Sequence, residues 1–480
     1  MNIMRICIIA EGSYPYITGG VSSWIHSLTS QLAEHEFIIY SIGAQSKNRG
    51  KFKYQLPANI IEVKEVFLDA YLDETGEWGS RFRISKQEEE ILSSLISGRA
   101  TVDWGGFFDL IRSRQFHHTA DFLSSKNYFD MVEEICRTEY ELVPFTEMFW
   151  TIRSMILPLF LTIRNEVPEA DIYHSVSTGY AGVIGTLAKH LYGKPLILTE
   201  HGIYSREREE EIIKADWVKG YFKDLWIKYF YTLSSSIYEA ADQVVTLFNR
   251  NKEIEMELGC DGSKIAIIPN GVHIDSGYTN NQNSDEQTIR IGAVVRVVPI
   301  KDIKTMIQSF ALIKREVPNA TLTIMGPTEE DDTYFQECLQ MVESLQVKDI
   351  EFTGEVKVKD YLGHMDILLL SSISEGQPLA VLEGMASGKP FVSTNVGSCK
   401  ELLYGVDDGI GPAGFVVPVM HYEFMAQRVI ELCRSRELRE EMGRNALQRV
   451  TLHYQHHDFI ENYRNLYASL KEVRYGRHRV

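Results

Sequence analysis

Residues 366–398 read DILLLSSISEGQPLAVLEGMASGKPFVSTNVGS. Ile367 to Leu370 reads as a buried strand that delivers Glu375 and Gly376 beyond its carboxyl end. Pro378 suits the first turn of a helix, and Glu383, eight residues after Glu375, sits more than a turn inside it. Phe391 to Thr394 is then the next strand. Near-continuously apolar strands separated by helices are the signature of a parallel sheet covered on both faces.

Working outward, the same alternation fills the chain. On the C-terminal side it covers Ile289 to Val295, Thr321 to Met325, Ile350 to Thr353 and Phe415 to Val417, with a helix over Asp302 to Glu316. On the N-terminal side it covers Arg5 to Ala10, Phe37 to Ile42, Ile60 to Val66, Ile172 to Val176, Leu196 to Glu200, Val244 to Phe248 and Ile265 to Ile268. Between the two sets, SGYTNNQNSDEQT at 276–288 has no aliphatic side chain and reads as a linker. The expectation is an α/β protein of two doubly wound Rossmann-like domains facing a cleft: 1–275, the linker 276–288, then 289–454, with 455–480 as a C-terminal helix returning to the first domain. Ligands of open α/β sheets bind beyond the carboxyl ends of the strands, so the chemistry is expected there. A segment at about 67–170 does not fit the alternation. It reads as a mainly helical insertion in the first domain, and its aromatic stretch WGGFFDL, Trp104 to Leu110, is either an acceptor or partner surface or simply packed core.

Length and composition agree. The 480 residues exceed one ordinary domain, and 44% hydrophobic with 24% charged residues is a globular composition. With 49 Lys and Arg against 66 Asp and Glu, the formal charge of −17 repels polyphosphate at long range, so nucleic acid is not an expected partner. An anionic ligand must then be held by local cations and backbone amides. Six scattered cysteines without a CxxC pair fit a reduced cytoplasm and no structural zinc. The N-terminal apolar run reads as a strand rather than a signal peptide, and the longest apolar stretch, Met155 to Ile163, is too short to span a membrane.

Several residues stand where strands end. Glu375 and Glu383 bracket a loop, Gly376, Gln377, Pro378 and Leu379, whose N–H groups face an anion, so one carboxylate suits a ligand's distal hydroxyls and the other a vicinal pair such as ribose. Arg296 and Lys301 straddle the loop that enters the helix at Asp302, where two cations neutralise a diphosphate leaving group. His201, after the strand PLILTE, suits a sugar hydroxyl or proton transfer, the plain alternative being a structural histidine beside Gly202. Gly19 and Gly20 precede a helix and admit a phosphate or an acceptor hydroxyl, or make only a tight turn. Arg206 and Arg208 read as solvated among Glu207, Glu209, Glu210 and Glu211, the alternative being that one of them reaches the cleft.

These segments resemble the retaining glycosyltransferases of family 4, of GT-B architecture. The residues that carry the resemblance are Glu375 and Glu383, Gly388-Lys389-Pro390, Thr394-Asn395-Val396-Gly397, Arg296 with Lys301, Asn270-Gly271 and Gly19-Gly20-Val21. Within that family, EGSYPYITGGVSSW at 11–24 and TEHGIYSRERE at 199–209 are similar to the PelF-type group, which builds the Pel exopolysaccharide of biofilms. The resemblance implies a UDP-sugar donor (UDP-glucose or a UDP-N-acetylhexosamine), a saccharide acceptor, no metal or other cofactor, and docking to inner-membrane polysaccharide export proteins. It implies roles as well: Arg296 and Lys301 at the β-phosphate, Glu383 at the ribose, Glu375 at the far hydroxyls of the sugar, His201 at a hydroxyl of that sugar, and the backbone near Val356 at the base. No second carboxylate stands out as a nucleophile, which favours same-face attack over a covalent intermediate. The resemblance does not extend over 67–170.

The competing readings are a non-catalytic nucleotide-sugar-binding scaffold subunit and a sugar-nucleotide epimerase of similar architecture. A dehydrogenase is weakest, for want of a dinucleotide fingerprint. The basic end KEVRYGRHRV either rests on anionic lipid, giving a peripheral location at the cytoplasmic face, or is a solvated helix end.

Overall fold

A computed structural model describes residues 3–69, 84–98, 101–116, 119–274 and 288–477. The described residues form two compact units, one comprising Met1–Thr246, Lys252–Ile267 and Arg464–Val480, the other Leu247–Asn251 and Ile268–Tyr463. The linker read at 276–288 lies outside the described residues apart from Thr288, and so do the side chains of the basic end beyond Lys471.

The first unit is built on β1 (Arg5–Glu11), β2 (Glu36–Gly43), β3 (Ile60–Phe67), β4 (Ile172–Ser175), β5 (Leu196–Glu200), β6 (Gln243–Thr246) and β7 (Ile265–Ile267). They form one sheet in the order β3-β2-β1-β4-β5-β6-β7, every pair parallel. The interior of the central strands is buried and mostly apolar, as parallel strands covered by helices on both faces must be. The order runs outward in both directions from β1 and β4, so the topological switch point lies at the carboxyl ends of those two strands.

The second unit repeats the plan with β8 (Ile289–Val294), β9 (Ala320–Met325), β10 (Ile350–Gly354), β11 (Ile367–Leu370), β12 (Phe391–Thr394) and β13 (Gly414–Val417). Its sheet is parallel in the order β10-β9-β8-β11-β12-β13, with the switch point between β8 and β11. Each strand read from the sequence is present, with ends shifted by no more than two residues.

The insertion contributes helices Lys86–Ser97, Trp104–Arg112, Thr119–Leu123, Lys126–Glu139 and Phe145–Arg164. A capping box starts the first: Ser85 Oγ accepts from Glu88 N–H, and the Glu88 carboxylate accepts from Ser85 N–H. The WGGFFDL aromatics are not a surface. Trp104, Phe107 and Phe108 are buried in the core of the first unit, with Phe107 against Phe160 of the long helix, so their place in the sequence reflects packing. Among the described residues no helix is long and apolar enough to cross a membrane.

Candidate functional site

In the second unit the switch point brings together two loops far apart in sequence. The loop after β8 carries Arg296 and Lys301, and the loop after β11 carries Glu375. Asp302 ends the first loop in a left-handed conformation (φ 47°) and caps helix Ile303–Glu316, its carboxylate accepting from Thr305 N–H at 3.3 Å. That turn brings Lys301 Nζ within 2.5 Å of Glu375 Oε1, with only 15% and 11% of the two side chains exposed. Ser372 Oγ donates to the same oxygen at 2.6 Å. The Glu375 loop is itself held from behind, since Ser398 N–H donates to Gly376 C=O at 3.0 Å. Gly397 (φ 49°) makes this approach possible, because a Cβ there would collide with the carbonyls of Glu375 and Gly376.

The other residues expected here separate into groups. Arg296 is paired with Glu330, Nη1 to Oε2 at 2.6 Å, and is half-exposed, so the two cations each already hold a carboxylate. Gln377 is buried, and its Oε1 accepts from Asn270 N–H at 2.6 Å; its side chain therefore anchors the segment that enters this unit. Asn270 Oδ1 is buried with no partner among the described residues. Pro378 is the N-cap of helix Leu379–Ala386, as its fixed φ allows, and Leu379 packs on the core. Glu383, half-buried on that helix, has its carboxyl raised by burial, an effect that Lys359 opposes. Val356 follows the end of β10 and is partly buried against the core.

In the first unit the switch point shows a residue that the sequence reading passed over. Glu11, the last residue of β1, accepts from Tyr180 N–H at 3.0 Å and Ala181 N–H at 3.3 Å, and from the Tyr204 hydroxyl at 3.0 Å. The amino end of helix Gly179–Tyr192 is thus occupied by the chain's own carboxylate. Burial raises the Glu11 carboxyl, and the charge of Arg208 opposes the rise. Arg208 is accordingly only partly solvated: its guanidinium lies 5.0 Å from the Tyr204 ring centroid and bonds Glu211 at 2.7 Å, with 37% of the side chain exposed. A carboxylate closing an apolar strand immediately before Gly12 was the available signal.

Gly19 and Gly20 start helix Gly20–Gln31, and a Cβ added to either meets nothing within 4 Å, so nothing in the protein demands glycine there. The Trp24 indole of the same helix meets the His201 ring edge-on, centroids 4.8 Å apart. Burial lowers the His201 pKa to about 4, so near neutrality its imidazole is an uncharged hydrogen-bonding group, and its Nε2 is buried with no partner among the described residues.

Behind His201 lies a pair of carboxyls that no spacing rule marks. Glu200 accepts from the Tyr238 hydroxyl at 2.5 Å and Tyr204 N–H at 3.1 Å; Glu255 is fully buried. Burial raises both, and the charge of Glu200 raises Glu255 further. The folded protein therefore holds protons that the unfolded chain releases above about pH 4.3, and this part of the stability is lost as pH rises through the elevated values. His201 and buried His174, the latter lowered to about 3, act in the opposite sense: their contribution is complete above about pH 6.5 and is lost on acidification. Glu255→Gln is expected to flatten the fall in melting temperature between about pH 7 and 9. A variant with the wild-type slope counts against a protonated Glu255.

Among the described residues no cluster of three or more His, Cys, Asp or Glu has the arrangement of a metal site. The six cysteines are free.

The comparisons with known proteins agree with this layout. Residues 4–263 match the family described as a domain of unknown function, DUF3492, and residues 278–449 match glycosyl transferases group 1. The chain is 30% identical over 170 residues to N-acetyl-alpha-D-glucosaminyl L-malate synthase of Bacillus anthracis, covering 35% of this chain and 42% of that one. It is 23% identical over 365 residues to the capsular polysaccharide biosynthesis glycosyltransferase CapM of Staphylococcus aureus, covering 72% and 88%. The chain thus spans less than half of the first of these relatives and most of the second. Anabaena HepE, crystallised with UDP and glucose, superposes with a TM-score of 0.58 at 14% identity, covering 97% of this chain and all of that one. This likeness and the two parallel sheets establish the GT-B fold. With more than half of its length inside the match, the chain belongs to the DUF3492 family, and its residues 278–449 are a glycosyl transferases group 1 domain.

Proposed function

We propose that the protein transfers a hexose or N-acetylhexosamine from a UDP-sugar, with retention at the anomeric carbon, onto a growing exopolysaccharide of the Pel type in the biofilm matrix. The observation that carries this reading is the Lys301–Glu375 pair at the switch point of the group 1 domain, with Ser372 fixing the same oxygen. A capsular polysaccharide relative and a neighbour that holds UDP and glucose support the product and donor classes.

On this reading the diphosphate exchanges Glu330 for itself at Arg296 and shares Lys301 with Glu375, while the N–H groups from Gly376 to Leu379 receive its oxygens. Glu383 takes the ribose hydroxyls, Glu375 the distal hydroxyls of the sugar, and the backbone near Val356 the uracil. Neutral His201, whose Nε2 is unsatisfied, takes a sugar hydroxyl, and the open backbone at Gly19 and Gly20 lies against donor or acceptor. The leaving diphosphate accepts the acceptor's proton on the face it departs from, with no covalent intermediate. Two cations supply the leaving-group charge, so a divalent metal is dispensable. The protein works in the cytoplasm, docked to inner-membrane polysaccharide export proteins.

Calorimetric titration with UDP, UDP-glucose, UDP-N-acetylglucosamine and UDP-N-acetylgalactosamine tests the reading. UDP and one of the three sugars should bind, and Glu383→Ala should weaken the affinity about 10- to 100-fold, as loss of a charge-assisted hydrogen-bonding partner implies. Absence of uridine nucleotide binding moves the scaffold reading, or another nucleotide, to the front. Proton NMR of the first product then reads the anomeric configuration, and inversion removes the same-face route.

A further inference from the structure

Three of the chain's six tryptophans meet at one place on the first unit. Trp150 belongs to the inserted helix Phe145–Arg164, Trp217 to the turn before helix Gly220–Ala240, and Trp226 to that helix. They line a depression of about 340 Å³. Trp217 is 71% exposed and Trp150 50% exposed, whereas the other large aromatics of the insertion are mostly packed inside. The Trp217 and Trp226 rings meet at 82° with centroids 5.6 Å apart, forming a corner of two indole planes. Trp226 is backed by Phe230, stacked at 5.8 Å.

The rest of the lining is polar. Glu147 is bonded to Lys219 Nζ at 2.7 Å and to the Tyr221 hydroxyl, and Thr146, Thr151 and Ser154 add hydroxyls. A pyranose ring presents a C–H face that lies on an indole and a hydroxyl rim that needs donors and acceptors, and this depression offers both. An acyl chain or an apolar helix would instead cover the Glu147–Lys219 ion pair and the Thr146 and Thr151 hydroxyls with groups that offer them no hydrogen bond, Ser154 already donating to the Thr151 carbonyl at 2.7 Å. The volume lies at the lower end of the roughly 300–1,000 Å³ of ligand pockets, enough for one or two sugar units of a longer chain.

We propose that this tryptophan corner is a second saccharide-binding site, separate from the donor residues, that holds a stretch of the polysaccharide being extended. The inference rests on the transferase reading for its ligand class. Trp217 is the platform, and Glu147, held by Lys219 and Tyr221, is the hydrogen-bonding group that orients the ring above it.

The full-length protein is titrated with the cello-, chito- and malto-oligosaccharide series from the disaccharide to the hexasaccharide, following tryptophan fluorescence, and UDP is titrated in parallel by calorimetry. At least one series should bind, more tightly with increasing chain length. Trp217→Ala should weaken that binding at least about tenfold and Trp217→Phe less, the difference being the larger ring. Glu147→Gln should also weaken it, and UDP affinity should stay within about twofold in all three variants, because none of these residues belongs to the donor site. If no oligosaccharide binds, or if Trp217→Ala binds as wild type does, the inference is overturned. Sedimentation with phosphatidylglycerol vesicles that depends on Trp217, without oligosaccharide binding, overturns it in favour of a membrane contact. Retained UDP binding with no sugar binding defeats this inference alone, whereas loss of UDP binding in the wild type defeats the donor reading and leaves the sugar titration readable.

Discussion

Replacing Lys301 by alanine is expected to lower sugar transfer at least about 100-fold, the scale found when one preorganised charge is removed from a site of developing charge. The ammonium is expected to act twice. It supplies one of two cations to the departing diphosphate, and it holds Glu375, only 11% exposed, in the orientation the sugar needs. Without it Glu375 keeps only the Ser372 hydroxyl among the partners described here and becomes a nearly buried carboxylate lacking its counter-charge. Breaking such a pair from one side costs about 3–5 kcal/mol where the partner cannot reach water, so a loss of stability should accompany the loss of rate. The double variant Lys301→Ala with Glu375→Ala separates the two effects. It should recover much of the stability, because no charge is left unpaired, and none of the activity. Initial rates and chemical denaturation on the wild type and the two variants give the answer. A Lys301→Ala protein that keeps its rate within about threefold removes Lys301 from the mechanism.

The second large effect concerns folding alone. Arg449, 1% exposed on helix Arg436–His453, has both ends of its guanidinium satisfied. Its Nε donates to Asp408 at 2.6 Å and its Nη2 to the same carboxylate at 3.3 Å. Its remaining N–H groups reach the carbonyls of Leu403 at 2.9 Å, Ile410 at 3.0 Å and Gly411 at 2.9 Å. One side chain thus ties the irregular stretch before β13 to the helix behind it. Arg449→Met takes the counter-charge from a carboxylate only 7% exposed, leaving it the Ile410 N–H, and removes a donor from the carbonyls of Leu403, Ile410 and Gly411; a loss of about 3–5 kcal/mol is expected in denaturant unfolding of the second unit. A loss under about 1 kcal/mol would mean that water replaces the guanidinium. The hydrogen bond from Arg449 holds the Asp408 carboxyl below its ordinary value. Its contribution is therefore complete above about pH 4 and disappears as pH falls through the depressed value.

The fold was legible because parallel strands covered on both faces are written as apolar runs. Ile367–Leu370 and Phe391–Thr394 have the ends the sequence assigns them, and β6 begins one residue earlier and ends two residues earlier than expected. The positions of the candidate residues were legible for a related reason: the ends of strands at a switch point are where ligands of such sheets bind, and β8 and β11 deliver Lys301 and Glu375 to the same point. What each side chain touches was not. Arg296 spends its charge on Glu330, 34 residues away, and the Gln377 side chain turns back to Asn270, 107 residues away. Glu11 reaches Tyr180 across 169 residues to close a helix end that the glycine pattern leaves open. No periodicity or spacing encodes contacts of that range, because they depend on how helices lie on the sheet. The aromatics at 104–110 show the same limit, since a run of large apolar rings reads alike whether it faces water or a core.

The first unit is not contiguous in the chain: it closes only with residues 464–480. The Tyr467 hydroxyl and His174 Nδ1 of β4 share a hydrogen bond at 2.7 Å, and Arg464 bonds Glu34 at 2.7 Å. A fragment cut after Ile267 therefore leaves a buried imidazole without that partner and uncovers the apolar surface on which the last helix rests. Dissection of the protein into halves calls for a circular permutant, in which residues 464–477 are spliced directly to the first strand, rather than for a stop codon at the apparent boundary.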